Sequence, residues 1–309
     1  MAAKSKGKWA ALHPPETPAV EAARDLLAAR LRSVQKALEP AAERALLNVE
    51  YVHQLRVATR RAAAGLRVFD AFVPTKDARR VKATLRSLRR AAGDARDWDV
   101  FAAGLDDSPA LTAAPAAKDY LLGYANGQRA VAQLFLGAAA EEQAEGLAKQ
   151  VERLPQNVSD DEATGLGYLA RTAMAALFAD LQALLTAGPK SPGELHQLRI
   201  QCKRTRYAME VFAGCYQPAF REVIYPAIED VQGILGTVQD GYVLSARLVE
   251  IRIWLRATRR EALERFRPGF DELGRETTQK VRTARTQFRR WTRDWAKLNA
   301  AHPLAELSL

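Results

Sequence analysis

Apolar positions recur three and four apart along almost the whole chain, the spacing of helices that each bury one face. An Ala/Leu-rich segment at 16–38 runs up to Pro40, a second spans 48–72, and Pro74 separates it from a third at 75–104. Pro109 and Pro115 bracket a loop before a helix reaching Arg153. The stretch 154–162 holds Pro155, Asn157, Ser159, Asp160 and Asp161 and alone reads as a linker between units. Beyond it the spacing predicts helices at 163–187, 193–215, 218–249, 251–266 and 275–298, punctuated at Gly188-Pro189, Pro192, Pro218, Pro268-Gly269 and Gly274. No strand-like alternation bounded by turns interrupts the pattern. Long helices joined by short loops pack as antiparallel bundles, so the predicted fold is all-α, with two four-helix bundles side by side. Residues 16–154 form the first bundle, 155–162 the linker and 163–300 the second; 1–15 read as a basic flexible tail and 301–309 as a C-terminal tail.

One sentence of sequence occurs twice. His53-Gln54-Leu55-Arg56 opens one helix, and His196-Gln197-Leu198-Arg199 opens another 143 positions later. At that offset Arg60 meets Lys203, Arg61 meets Arg204, Val68 meets Val211, Phe69 meets Phe212, Gly93 meets Gly236 and Asp97 meets Asp240. An internal duplication of this length predicts halves related by a pseudo-twofold axis, with both histidines and their cationic neighbours lining one shared site.

Charge decides what such a site would hold. The chain has 309 residues, a formal net charge of +10 and two cysteines. That excess favours a polyanionic partner: nucleic acid, an anionic membrane surface or a phosphate-rich ligand. Cys202 and Cys215 lie in one predicted helix and read as small buried hydrophobes in a reduced cytosolic protein. No apolar run reaches the roughly 18 residues of a membrane span, and no apolar signal core follows the lysines near Met1, so a soluble, cytoplasmic protein is expected.

On a helical wheel His53, Arg56, Arg60 and Arg67 share a stripe about 60° wide, opposite Leu55, Ala58, Ala62, Leu66 and Phe69. The stripe covers about 21 Å at ~1.5 Å per residue, enough to track an extended anion. The second copy aligns His196, Arg199, Lys203 and Arg206, with Tyr207 alongside. A further row, Arg79, Lys82, Arg86, Arg89 and Arg90, has no acidic residue interleaved to neutralise it. Arg282, Arg285, Arg289 and Arg293 make a third row on the last helix. Arginine predominates, which suits bidentate phosphate contacts. The second copy replaces the Arg79 to Arg90 row with Glu222, Tyr225, Glu229, Gln232 and Gly233, and Arg67 with Glu210. The predicted site is therefore weighted toward the first half and the C-terminal helix.

This doubled pattern of His, two residues, Arg, three residues and a paired cation resembles the CHAD family, the conserved histidine α-helical domain. The later stretch Leu88-Arg89-Arg90, Gly93, Ala95-Arg96-Asp97, Val100 and its echo Gly236, Val238-Gln239-Asp240, Val243 also resembles that family, over roughly 16–300. The resemblance implies a pair of bundles around a basic groove that binds inorganic polyphosphate and directs the protein to polyphosphate granules. It implies His53, Arg56, Arg60, Arg61, His196, Arg199, Lys203 and Arg204 as binders. The charge rows add Lys82, Arg86, Arg89, Arg90, Arg206, Arg282, Arg285 and Arg289. Nothing matches the N-terminal Glu/Lys signature of the CYTH triphosphatase sometimes fused to such domains, so a stand-alone binding module without catalysis is expected.

Other readings have their own residues. Neither histidine has a Cys, His, Asp or Glu at i+4, so no metal is expected, and no cofactor motif occurs. Asp97 and Asp240 read as helix-terminus or interhelix ion-pairing groups, and Trp98, Trp254, Trp291 and Trp295 as packing rather than base-stacking platforms. A nucleic-acid-binding protein using the same cations is the alternative, with nucleic acid otherwise a weaker competitor, but no recognition helix, zinc finger or aromatic ladder supports it. Hydrolysis of short polyphosphates would need a carboxylate cluster for metal, whereas the acidic residues are scattered. Coating of storage granules through an amphipathic helix is a fourth reading.

Overall fold

A computed structural model describes residues 8–9, 12–159 and 163–309, and the following statements concern those residues. The apolar spacing becomes nine α-helices there: α1 (Ala19–Glu43), α2 (Glu50–Val68), α3 (Thr75–Asp106), the short α4 (Pro109–Thr112), α5 (Pro115–Gln156), α6 (Leu166–Thr186), α7 (Pro192–Phe212), α8 (Tyr225–Thr258) and α9 (Arg260–Ala301). The fold is all-helical. Its extended pairings are two isolated bridges, Pro18 with Gly165 and Tyr216 with Ser308. α7 starts where Ser191 accepts the Glu194 N–H and the Glu194 carboxylate returns to the Ser191 N–H, a reciprocal cap that satisfies two orphan donors.

α1 packs on α2 and α5, α2 on α3, and α3 on α5; α6 packs on α7, α7 on α8, and α8 on α9. Across the molecule α1 touches α6, α2 touches α7, α3 touches α8 and α5 touches α9. The main core takes one face of every helix but the short α4, with Leu27, Leu31, Leu55, Leu66, Phe69, Leu88, Phe212 and Phe220 fully buried. A second core gathers the ends of the long helices: Phe101 and Leu105 of α3, Leu121 of α5, Leu248 and Leu255 of α8, and Phe270 and Leu273 of α9.

That second core corrects the expected helix boundaries. Instead of separate helices at 251–266 and 275–298, α8 runs to Thr258, the chain breaks at Arg259, and α9 continues through Pro268, Gly269 and Gly274. A Cβ at Gly269 would lie 2.6 Å from the Cβ of Ala117 and 2.8 Å from that of Ala114, so the glycine admits α5 at close range. Tyr120 stacks on Phe266 beside it at 4.8 Å. Tertiary packing of this strength overrides a local proline signal. Pro155, placed in the linker from sequence, likewise sits in the last turn of α5; residues 160–162 of that linker lie outside the described residues.

The described parts of the expected tails are docked. Trp9 meets the Tyr225 ring edge-on at 4.9 Å, Lys8 sits 4.5 Å above that ring, and the Lys8 carbonyl accepts a hydrogen bond from Arg30. At the other end Leu307 is buried and its carbonyl accepts the Gln217 N–H at 2.8 Å. The rest of the N-terminal tail, residues 1–7, 10 and 11, lies outside the described residues.

Among the described residues α6 is the helix that comes nearest to a membrane span. By length and composition it is apolar enough to cross a membrane, with 21 residues and a mean hydropathy of 1.2 in its best window. Arg171 and Asp180 interrupt the apolar run, which hid it from a search for uninterrupted apolar residues. Leu166, Ala170, Met174, Leu181 and Leu185 turn into the main core, and the outer face mixes alanines with Tyr168, Arg171, Thr172, Asp180, Gln182 and Thr186.

Candidate functional site

α2 and α7 face each other, and each opens with the repeated sentence. Leu55, Ala62 and Leu66 on α2, and Leu198, Cys202 and Met209 on α7, enter the core. With those faces buried, the opposite stripes turn toward each other. Between them lies a cavity of about 980 Å³ lined by His53, Arg56, Arg60, Arg67, Arg89, Arg96, His196, Arg199, Lys203 and Arg204, among others.

The shared glycine and aspartate of the repeat lie directly behind the two motif arginines. A Cβ at Gly93 would stand 2.7 Å from Arg56 Nη1, and one at Gly236 would stand 3.7 Å from Arg199 Nη2. Glycine on α3 and on α8 thus lets a guanidinium lie against the helix backbone. Arg56 also approaches Asp97 at 3.8 Å. Arg56 is thus held by its glycine and aspartate, whereas the Arg199 guanidinium lies at ordinary contact distance from Gly236 and its buried Nε has no hydrogen-bond partner among the described residues.

Crowding leaves its mark on the protonation equilibria. Burial first, then the charges of Arg60, Arg199 and Arg56, bring the Lys203 ammonium down to about 7. Burial first and then Arg60 lower Arg56 to about 10, and burial followed by Arg96 lowers His53 below the ordinary imidazole value. Burial holds the Asp240 carboxyl above the usual carboxylate range; Arg199 opposes the rise and Asp97 adds to it. Desolvation and like charges both disfavour the cationic forms, so positive charge is crowded in this cleft. No hydrogen bond or ion pair within the described residues engages Arg60, Arg67, Arg89, Lys203 or Arg204.

Of the sixteen residues expected from sequence, His53, Arg56, Arg60, Arg89, His196, Arg199, Lys203 and Arg204 line this cavity. The others lie elsewhere, mostly because a partner holds them. Arg61 turns to Glu210, whose side chain is fully buried, with Nε 2.6 Å from its carboxylate. Arg206 pairs with Glu229 and lies over the Tyr207 ring. Lys82 pairs with Asp70 at 2.6 Å, while Arg86 and Arg90 are exposed on α3 outside the cleft. The C-terminal row is also outside: Arg285 donates to the Tyr242 hydroxyl and the Lys190 carbonyl, Arg289 to Thr286, and Arg282 lines a separate cavity beside Asp271, Glu272 and Glu276. Of the α9 cations it is Lys280 that reaches the cleft, already paired with Glu276.

Among the lining residues that were not expected, four bear on the site's chemistry. Arg67 belongs to the α2 stripe but not to the repeated motif, since Glu210 replaces it in the second copy, and it lines the cavity. Arg96 adjoins His53 at the place where the second copy puts Gln239, whose Oε1 lies 3.0 Å from His196 Nδ1. Arg247 lies 3.7 Å over Trp98 and donates to the Asp97 carbonyl. Tyr207 adds a phenol. The offset of 143 pairs Arg96 with Gln239, a signal already present in the sequence.

None of the curated proteins matches the chain. Its fold is similar to the crystal structure of the CHAD domain from the plant Ricinus communis, at 22% identity and TM-score 0.69, covering 92% of this chain and 94% of that one. It is also similar to PptA from Streptomyces chartreusis, at 17% identity and TM-score 0.66, covering 88% and 98% respectively. At these identities the likeness is one of fold. The CHAD domain model matches residues 25–249, most of the chain, and the protein belongs to the CHAD domain family.

Proposed function

We propose that this protein binds inorganic polyphosphate in the cleft between α2 and α7, and does so without catalysis. One observation carries the reading: five cations without hydrogen-bond or ion-pair partners among the described residues, Arg60, Arg67, Arg89, Lys203 and Arg204, converge on one cavity with Arg56 and Arg199 beside them. Each charge-assisted contact to a phosphate oxygen contributes about 1.5–3 kcal/mol once the anion is in place. The lining carboxylates, Asp97, Asp107 and Asp240, sit among or beside cations, which supports binding over metal-assisted hydrolysis.

The pairing of each helix with its counterpart, α1 with α6, α2 with α7, α3 with α8 and α5 with α9, supports a duplicated four-helix unit folded about a pseudo-twofold axis. The cleft lies where that axis would pass. Residence at polyphosphate granules in the cytoplasm follows from family resemblance and is checked by imaging a fluorescent fusion against stained granules.

Titration with long-chain polyphosphate tests the reading. Arg60→Glu with Lys203→Glu weakens binding more than about 100-fold at physiological salt while helicity stays unchanged. Log affinity falls with log salt by roughly 0.7–0.9 per contact. An affinity untouched by the double substitution overturns the assignment. Polyphosphate also displaces single-stranded nucleic acid at lower phosphate concentration than the reverse; the opposite order favours the nucleic-acid reading.

A further inference from the structure

The cleft is not cationic along its whole length. Along α3 its lining runs Arg89, Arg96, Asp97, Val100 and Gly104, and helical rise sets Gly104 about 22 Å from Arg89. α8 repeats the order, with Asp240 followed by Val243 and Leu244. The two sequences are repeat equivalents, Asp97 with Asp240 and Val100 with Val243. The dense cation cluster thus gives way to a carboxylate pair, with Thr277 and Lys280 of α9 also on the wall, and then to a largely apolar end closed by Leu273 of α9, with Arg247 held flat on Trp98 beside it and Asp107 one turn beyond Gly104.

An inorganic phosphate chain uses only the first zone. Its oxygens are repelled by carboxylates, and it has no apolar surface to bury. A ligand matching all three zones carries phosphates, then hydroxyl donors for carboxylate acceptors, then an apolar planar group. Ribose hydroxyls on an acidic side chain are an established mode of nucleotide recognition. The cavity, about 980 Å³, lies within the roughly 300–1,000 Å³ range of small-molecule clefts.

We propose that the same cleft takes a nucleoside polyphosphate, with its phosphates among Arg60, Lys203 and Arg204, its ribose at Asp97 and Asp240, and its base between Val100, Val243 and Leu244. The assignment rests on the anion-binding reading of the cationic zone. It extends that reading to a second, organic ligand class.

The test compares adenosine 5′-triphosphate with inorganic tripolyphosphate on the full chain at equal ionic strength. Both have three phosphates and tripolyphosphate carries at least as much charge, so electrostatics alone gives the nucleotide no advantage. The nucleotide binds about 10-fold more tightly, and its 2′,3′-dideoxy form loses most of that gain. Gly104→Phe abolishes the difference while leaving tripolyphosphate affinity intact, because a Cβ at Gly104 meets nothing within 4 Å and the ring fills the apolar end. Retained tripolyphosphate binding also shows that this variant is folded. Nucleotide binding no tighter than tripolyphosphate, or tighter binding that survives Gly104→Phe, overturns the inference alone. Failure of tripolyphosphate and long-chain polyphosphate with retained nucleotide binding overturns the earlier reading alone, and failure of all three removes both. A long-chain alkyl pyrophosphate that outcompetes the nucleotide assigns the apolar end to a lipid and overturns the ribose placement.

Discussion

α2 and α7 open with the same four residues, yet the two copies make different electrostatic contributions. The first supplies Arg60, Arg67 and Arg89 as open cations; the second supplies Lys203 and Arg204, together with the carboxylates that hold other arginines in place. Glu210 stands where the first copy has Arg67, Glu229 where it has Arg86 and Gln239 where it has Arg96. Glu210 binds Arg61 at 2.6 Å, approaches Arg30 at 3.8 Å and accepts the Tyr225 hydroxyl at 2.8 Å. Were both segments fully cationic, α2 and α7 would meet as repelling surfaces. The differences between them fasten one part of their contact and leave the other part charged.

The largest break in that comparison is Glu210→Ala. It strands Arg61 and the Tyr225 hydroxyl beside a buried, emptied site, and stability falls by about 3–5 kcal/mol in chemical denaturation. A loss under about 1 kcal/mol shows that the network does not fasten the halves.

The repeated glycines give a sharper contrast. Gly93→Ala pushes a methyl toward Arg56 Nη1, displaces the guanidinium and weakens polyphosphate binding by about 1–2 kcal/mol, or ~5–30-fold. Gly236→Ala finds Arg199 at ordinary contact distance, leaves affinity unchanged and stabilises α8 by about 0.5–1 kcal/mol. Equal effects of the two substitutions on calorimetric affinity refute the difference in bracing.

pH separates the halves next. In the empty cleft Lys203 loses its proton near 7, and a bound anion raises that value, so binding takes up a proton and weakens by about 10-fold from pH 6 to pH 8. His53, also lowered, adds to the slope at the acid end. Lys203→Arg flattens the profile above neutrality; an unchanged slope assigns it to other groups. Stability of the empty protein follows the same group with the opposite benefit. Its folded value of about 7 lies below the ordinary 10.5, so the unfolded chain holds more protons in that window, and stability rises with pH across it. Lys203→Met removes that rise in thermal unfolding.

The smallest effect distinguishes the histidines. His196→Ala breaks its bond to Gln239 and weakens binding by less than about 1 kcal/mol at neutral pH. His53→Ala, which removes a ring facing Arg96, changes binding mainly below pH 6. Identical pH profiles for the two variants refute this division.

Apolar spacing made the helices legible because each buries one face and the period survives in the sequence. It also located the faces of α2 and α7, since Leu55, Leu66, Leu198 and Met209 had to turn inward. Pro268 misled because the contact that carries α9 past it comes from Ala114 and Ala117, about 150 positions away. The candidate site was half legible. Eight of its expected residues line the cleft, while Arg61, Lys82 and Arg206 are engaged by Glu210, Asp70 and Glu229.

By itself the amino-acid sequence determined the helical class, the duplicated histidine-arginine sentence and the excess of cations, all of which follow from local period and composition. Only the tertiary structure decided which cations remain open. A guanidinium is neutralised by whichever carboxylate the fold brings within about 4 Å, and Glu210 lies 149 positions from Arg61.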